Sequence, residues 1–596
     1  MKPTDVENPE YFHKVVDCQY ACPAHTPVPE YIRLIAAERY TDAYMINWES
    51  NVFPGVLGRT CDRPCEPACR RGRVEDTPVA ICRLKRVCAD LKEPIKNRLP
   101  EIPKERNGFR IALIGAGPAS LTVARDLMPL GYEVDLYDEH HRAGGFMRSQ
   151  IPSFRLPEAV LNEEIAYILD MGVTTIFNTY VDSLKKILDK TYDAVFVGTG
   201  APHGRNLILP GYEEEGTNAI RIGIEWLADI AFGHVDRAAK RVIVLGGGNT
   251  AMDCCRTAIR LGAEEINVLI RSPFSEVKAS AWEIEDAKRE GIPMHENHKP
   301  VEYLLTDGKL SGVRFEKVTA VYDDAGKRTL VPTGEEVIYA CDTVLLAIGQ
   351  ENAFPWIERD IGLEFGKWDM PVVDPVTFQS TNPKVFFGGD AAFGPENIIT
   401  AVAHGHAAAL SIDMFVNGRT LTDRPGPGIT LISQKMGIHD WSYASEVTED
   451  ERNVVPQVDM KDALHSHKLE VELGFDPVAA LGEAQRCLNC DVQTVFKEKL
   501  CIECDACIDV CPVDCLTFAE NEEESVLRET LKVPARNLTQ DLYVSEPLPT
   551  GRVMVKDEDV CLHCGLCAER CPTAAWDMQK FLYITPQASK KQEAHT

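Results

Sequence analysis

Residues 110–138 read "RIALIGAGPASLTVARDLMPLGYEVDLYD", and this stretch decides the fold of the chain's middle. The apolar run 110–114 predicts a buried strand, Gly115-x-Gly117-x-x-Ser120 opens a helix, and "EVDLYD" predicts a second strand ending on Asp138. The first glycine permits a tight turn and the second lets a pyrophosphate approach the backbone. An acid about 20 residues on can hold a ribose hydroxyl. Ser120 stands where the fingerprint has its third glycine, a small replacement. A structural glycine turn is the alternative, but strand, helix and terminal acid occurring together favour a nucleotide site.

From Arg110 onward apolar strands alternate with helices, the pattern of a parallel doubly wound sheet. A second fingerprint follows in "RVIVLGGGNTAMDCCRTAIRLGAEEINVLIRS", with Gly246-x-Gly248-x-x-Ala251 after one strand and Arg271 at the end of the next. An acid there suits the 2′-hydroxyl of NAD, whereas arginine suits the 2′-phosphate of NADP, so NADP(H) is expected, with NAD(H) as the alternative. Arg271 as an ordinary solvated charge is the plainer reading. Cys254 and Cys255 fall inside the helix and are expected to be packing residues. A third segment, "NPKVFFGGDAAFGPENIITAVAHGHAAALSID", returns to strand, Gly389-Asp390 and an apolar helix. The helix N-terminus can face FAD, and Asp390 a ribityl or ribose hydroxyl. Its position after the second fingerprint predicts an FAD domain interrupted by an NADP domain.

The chain's 596 residues call for several domains. Its formal net charge of −28 argues against nucleic acid and anionic membrane surfaces. The longest apolar runs look strand-length, and "MKPTDVENPE" lacks the basic and apolar regions of a secretory signal, so a cytoplasmic protein without membrane insertion is expected. In that compartment 21 cysteines cannot mainly be disulfides, and their clustering at both ends points to metal.

"CIECDACIDVCP" gives Cys501-x2-Cys504-x2-Cys507-x3-Cys511-Pro, and "CLHCGLCAERCP" repeats the spacing at Cys561, Cys564, Cys567 and Cys571. This is the two-cluster bacterial ferredoxin signature, in which the fourth cysteine of each run ligates the other cluster. Cys501, Cys504, Cys507 and Cys571 should therefore hold one 4Fe–4S cluster, and Cys561, Cys564, Cys567 and Cys511 the other. Zinc is the alternative for paired C-x2-C motifs, but three-cysteine loops closed by Cys-Pro disfavour it. Cys515 falls outside the pattern and is expected to pack.

The motifs "IGAGPASL", "GGFMRSQIPSFRLP", "FVGTGA", "LGGGNTAMDCCRTA", "AIGQ" and "FGGDAAFGP", in that order over roughly residues 15–415, resemble the glutamate synthase small subunit and its relatives. Those relatives include the large subunit of NADH-dependent ferredoxin:NADP oxidoreductase and the N-terminal half of dihydropyrimidine dehydrogenase. The resemblance implies FAD held near Gly115, Gly117, Ser120, Asp138, Gly145, Gly389 and Asp390. It implies NAD(P)H near Gly246, Gly248, Asn249, Thr250, Ala251, Arg271 and Ser272, with hydride passing between nicotinamide and flavin. NADPH-using members often carry two arginines before the position of Ser272, where this chain has Ile270 and Arg271.

"CQYACP" and "GRTCDRPCEPAC" also resemble that family, whose N-terminal block holds two clusters. Carried over, Cys18 and Cys69 belong to one, and Cys22, Cys61 and Cys65 to the other. The family's opening "RCLxC" pair is missing at the N-terminus, yet "EAQRCLNC" at 483–490 has its form. A cluster on Cys18, Cys69, Cys487 and Cys490 is therefore expected, free thiols in a helix being the alternative. Lys85 occupies the position of the family's Gln or Glu ligand, which makes Cys82 the candidate fourth ligand of the other cluster, with Cys88 second. An N-terminal shell without clusters stays open.

The expected architecture is multidomain α/β: a helical iron–sulfur domain (1–105), an FAD domain (106–204 and 345–417), an inserted NAD(P) domain (205–344), a linker with the displaced CxxC (418–490), and a two-cluster ferredoxin-like α+β domain (491–596). The C-terminal "SKKQEAHT" reads as a frayed tail. The implied protein is an FAD-dependent NAD(P)H:ferredoxin-type oxidoreductase subunit with four 4Fe–4S clusters, which converts hydride to single electrons for a partner enzyme. A 2-oxoacid oxidoreductase is the first expectation, and a hydrogenase, formate dehydrogenase or aromatic-ring reductase are others implied by the resemblance. Rival readings are an electron-bifurcating flavoprotein subunit and a relay or assembly module without nucleotide turnover.

Overall fold

A computed structural model describes residues 1–212, 219–323, 326–437, 439–443 and 448–589, so most of the expected tail lies outside the described residues. The chain forms two compact units: Leu99–Leu421 with Pro456–Leu473, and Met1–Arg98 with Thr422–Val455 and Gly474–Thr596.

In the first of these, one parallel sheet runs in the order Val385–Phe387, Ala194–Val197, Arg110–Ile114, Glu133–Tyr137, Thr174–Ile176. Its middle strands are almost wholly buried, as expected when helices cover both faces. A second parallel sheet runs Ile220–Ile222, Thr343–Leu346, Arg241–Leu245, Glu265–Leu269, Met294–His295. It lies in sequence between Ala194–Val197 and Val385–Phe387, which pair side by side in the first sheet through Val195 and Val385. The second nucleotide fold is thus inserted into the first. An antiparallel sheet of His298–Thr306, Lys309–Tyr322 and Arg328–Ala340 interrupts the second fold before its last strand in sequence, Thr343–Leu346.

A buried ion network joins the two folds within this unit. Arg155 donates to both carboxylate oxygens of Asp253, at 2.7 and 2.8 Å, and Arg256 reaches Glu283 at 2.9 Å and Glu290 at 2.8 Å. Buried charges persist only when paired in this way.

The helix Ile398–Val416 corrects the expectation of strand-length apolar runs, being long and apolar enough by length and composition to cross a membrane. Here it buries Ile399, Val402, Ala409 and Ile412 in the protein.

In the other unit the N-terminal residues form short helices. Val28–Ala36 buries Val28, Tyr31, Ile32 and Ile35, which recur at helical spacing, and Pro54 opens Pro54–Thr60, where its missing N–H costs nothing. The ferredoxin segment builds two antiparallel sheets: Leu516–Glu520, Arg552–Lys556 and Tyr543–Val544, and Gly428–Ser433, Trp576–Ile584 and Val492–Phe496. Gly428–Ser433 comes from the stretch expected as a linker. Paired on one side only, it is half-exposed, and so carries little of the apolar alternation that marks a strand.

Candidate nucleotide and iron–sulfur sites

At the first fingerprint Gly115 has φ +90°, and a Cβ there would meet the Gly198 carbonyl oxygen at 2.7 Å. Only glycine suits both conditions. Asp138 ends its strand with Oδ2 accepting from the Ala116 N–H at 2.7 Å and Oδ1 accepting from the His140 N–H at 2.8 Å. Its carboxylate thereby holds the glycine turn, while burial pushes its pKa up. Gly145, at φ +50°, comes so near that a Cβ would stand 2.8 Å from the Gly117 Cα. Ser120 is fully buried against Gly198.

Asp390 follows Gly389, whose φ is +58°, and accepts through Oδ1 from the Glu396 N–H at 3.0 Å. Burial pushes the Asp390 carboxyl up to about 6. Asn352 donates to the Asp390 carbonyl at 2.7 Å and leaves its own Oδ1 buried with no partner. An unpaired buried acceptor beside this cradle fits a hydroxyl-rich ligand such as FAD. The sequence reading missed Asn352, although it follows "AIGQ" by two residues.

At the second fingerprint Gly246 has φ +141° and abuts the Ala347 carbonyl, while a Cβ on Gly248 would meet open space. The turn therefore has one face packed on protein and one free for a phosphate. Asn249 begins the helix Asn249–Arg260, and its Oδ1 accepts from the Ser280 N–H at 2.9 Å. Thr250 and the buried Ala251 follow it in the first turn. Arg271 is exposed, whereas Ile270 fills the core beneath, which explains an apolar residue at that position. A guanidinium not anticipated from the sequence arrives from the inserted sheet: Arg328 donates to Ser272 Oγ at 2.7 Å and pairs with Glu276. Cys254 and Cys255 are fully buried in the fold's core, where burial pushes both thiols up.

None of the 21 cysteines is joined in a disulfide. Cys18 is buried with Cys69, Cys490 and Cys487 as its main charged neighbours after burial itself, and all of these push its thiol up. Cys487 is pushed up to about 12, by burial first and then partly by Cys69. Cys487 and Cys490 follow the helix Pro477–Gln485, and Arg486, fully buried, donates to the Thr77 carbonyl at 2.9 Å. That link ties the CxxC loop to the N-terminal helices.

A second thiol group gathers Cys22, Cys61, Cys65 and Cys82 around the Lys85 ammonium. Burial acts against that charge, yet the four sulfurs outweigh it and hold Lys85 above the ordinary lysine range. Cys82 faces the carbonyls of Leu57 and Gly58 at 3.3 and 3.4 Å. Cys88, the second candidate, donates to the Lys85 carbonyl at 2.9 Å and accepts from Asn47 Nδ2 at 3.8 Å.

In the ferredoxin segment Cys501, Cys504, Cys507 and Cys571 line one small cavity with Ile502 and Trp576. Cys561 and Cys511 are the charged neighbours that push up Cys564, after burial, and Cys561 and Cys564 act likewise on Cys567. Cys515 Sγ lies 3.5 Å from Cys511 Sγ. Grouped cysteine sulfurs not joined in disulfides fit the donor chemistry of 4Fe–4S clusters.

Residues 109–405 match the pyridine nucleotide-disulphide oxidoreductase family, residues 13–96 the dihydropyrimidine dehydrogenase domain II, 4Fe–4S cluster, and residues 500–575 the 4Fe–4S dicluster domain. The chain is 36% identical over 509 residues to the NADP(+)-dependent formate dehydrogenase subunit beta of Moorella thermoacetica, covering 79% of this chain and 70% of that protein. It is 30% identical over 532 residues to the NADPH-Fe(3+) oxidoreductase subunit beta of Geobacter sulfurreducens, covering 82% and 77%. With the NADPH glutamate synthase small chain of Escherichia coli it shares 31% identity over 413 residues, covering 66% and 87%. The chain therefore belongs to the glutamate synthase small subunit-like family of FAD/NAD(P)-dependent oxidoreductases, here joined to a C-terminal 4Fe–4S dicluster ferredoxin domain.

Proposed function

We propose that the chain is the NADP(H)-handling electron-entry or electron-exit subunit of a larger oxidoreductase. FAD, when bound, supplies the exchange between a hydride pair and single electrons. The residues around it bind and orient. Gly115, Gly117 and Gly145 leave backbone room for the pyrophosphate, Asp138 fixes the turn, and Asp390 with Asn352 offers hydroxyl acceptors. On the second fold Gly246, Gly248, Asn249, Thr250 and Ala251 receive the NADP(H) pyrophosphate at a helix N-terminus. Arg271 and Ser272, with Arg328, take the 2′-phosphate.

Four clusters carry the electrons: Cys18/Cys69/Cys487/Cys490, Cys22/Cys61/Cys65/Cys82, Cys501/Cys504/Cys507/Cys571 and Cys511/Cys561/Cys564/Cys567. The observation that carries this reading is the gathering of Cys18, Cys69, Cys487 and Cys490 from opposite ends of the chain. The partner is an oxidoreductase, and similarity to the formate dehydrogenase beta subunit supports a formate-oxidising partner over the 2-oxoacid enzyme first expected. Twenty-one cysteines in cluster-type spacings support a cytoplasmic setting.

The test is anaerobic: the isolated chain is mixed with NADPH, then with partner candidates of each class. Reduction of the flavin and clusters by NADPH, with reoxidation through a formate dehydrogenase catalytic subunit supplied with CO2, which is reduced to formate, is the expected result. Reoxidation by a 2-oxoacid oxidoreductase alone reassigns the partner, and no reduction by NADPH defeats the reading.

A further inference from the structure

Lys85 is 4% exposed and sits on the helix Ile81–Leu91, three residues after Cys82. Its Nζ donates to Asn51 Oδ1 at 3.1 Å. Among the described residues no carboxylate forms an ion pair with it, and its charged neighbours are Cys61, Cys82, Cys65 and Cys22. Lys556 makes an instructive contrast. It too is buried beside a candidate cluster ligand, Cys561, but its ammonium pairs with Glu558 at 2.7 Å. A buried ammonium without a carboxylate is costly unless another anion compensates it. At Lys85 the compensating negative charge has to come from the four cysteine sulfurs and whatever they hold.

We infer that Lys85 is the fixed counter-charge of a cluster on Cys22, Cys61, Cys65 and Cys82, and that it raises that cluster's reduction potential. The inference rests on the ligand reading above. Each reduction adds one electron, drawn from NADPH through the bound flavin, and so increases the negative charge of the cluster. In a dry interior a cation at short range favours the reduced form much more strongly than it would in water. Lys85 thus does more than fill the place of a missing ligand: it favours the reduced form of this cluster. It is a positioning charge, not a ligand.

The test is potentiometric EPR on the full chain and on Lys85→Met, Lys85→Arg and Cys82→Ala, with iron counted in each. Cys82→Ala identifies the cluster's signal by abolishing it. Lys85→Met is expected to keep its iron while the reduced-to-oxidised ratio, read at the wild-type midpoint, falls by about tenfold, equivalent to 59 mV for a one-electron couple. Lys85→Arg restores the charge and should stay near wild type. Loss of the cluster from Lys85→Met but not from Lys85→Arg also supports the inference, since both side chains fill the space and only one carries charge. An unchanged midpoint in an iron-replete Lys85→Met overturns it. Unchanged iron and signals in Cys82→Ala overturn the ligand reading instead, a distinguishable outcome.

Discussion

The guanidinium of Arg70, one residue beyond Cys69, donates to the carbonyl oxygen of Cys561 at 2.8 Å. The same side chain is buried, bonds the Val15 carbonyl at 3.1 Å and pairs with Asp17 at 2.8 Å, next to Cys18. One arginine therefore ties the two segments carrying Cys18 and Cys69 to the ferredoxin loop that begins at Cys561. Removing it strands buried carbonyls and leaves Asp17 with the longer pair to Arg73 at 3.3 Å. Arg70→Met should destabilise this unit by about 3 kcal/mol, read from the denaturant midpoint. It should also slow the NADPH-driven reduction of the ferredoxin signals in stopped flow, while reduction of the flavin keeps its rate.

Cys490→Ser tests the displaced CxxC. Loss of about four irons per chain is expected, one 4Fe–4S equivalent, with the ferredoxin EPR signals retained. Full iron content would return Cys487 and Cys490 to the status of free thiols.

The buried Asp390 carboxyl, pushed up to about 6, makes the flavin-free protein pH-sensitive. In the unfolded chain this group titrates near 4 (roughly). A carboxyl raised on folding favours the protonated native form, so its contribution is present below about 4 and is lost as pH rises through about 6. Denaturant midpoints of the apoprotein between these values should fall with pH in the wild type and flatten in Asp390→Asn. The same variant should retain less FAD, since it gives up a charged acceptor.

Arg328 tests coenzyme choice. Arg328→Ala should raise the KM for NADPH by about tenfold, the loss of roughly one charge-assisted contact, and leave the KM for NADH within about twofold. Equal effects on both coenzymes would make Arg328 a structural partner of Ser272 and Glu276.

The nucleotide folds were legible because their chemistry is local: Gly115, Gly117 and Asp138 lie within one strand–turn–helix–strand unit, and the φ of Gly115 is needed at that position whatever the rest of the chain does. The ferredoxin runs were legible for the same reason. Groups delivered from afar were not. Asn352 reaches Asp390, Arg328 reaches Ser272 and Arg70 reaches Cys561 across long stretches of chain, and none of them carries a local periodicity or spacing that announces its role. The strand Gly428–Ser433 escaped notice because its pairing partner, Trp576–Ile584, lies far along the chain. "RCLNC" was an intermediate case, readable only by noticing that a familiar pair had moved.

The most direct measurement is an anaerobic titration of the isolated chain with NADPH and separately with NADH, following flavin bleaching, cluster EPR and total iron. The account predicts rapid reduction by NADPH, a slower response to NADH, and about sixteen irons per chain, four for each 4Fe–4S cluster. About eight irons, or a preference for NADH, would contradict it: the first would confine the wiring to the ferredoxin domain, and the second would remove Arg271 and Arg328 from coenzyme selection.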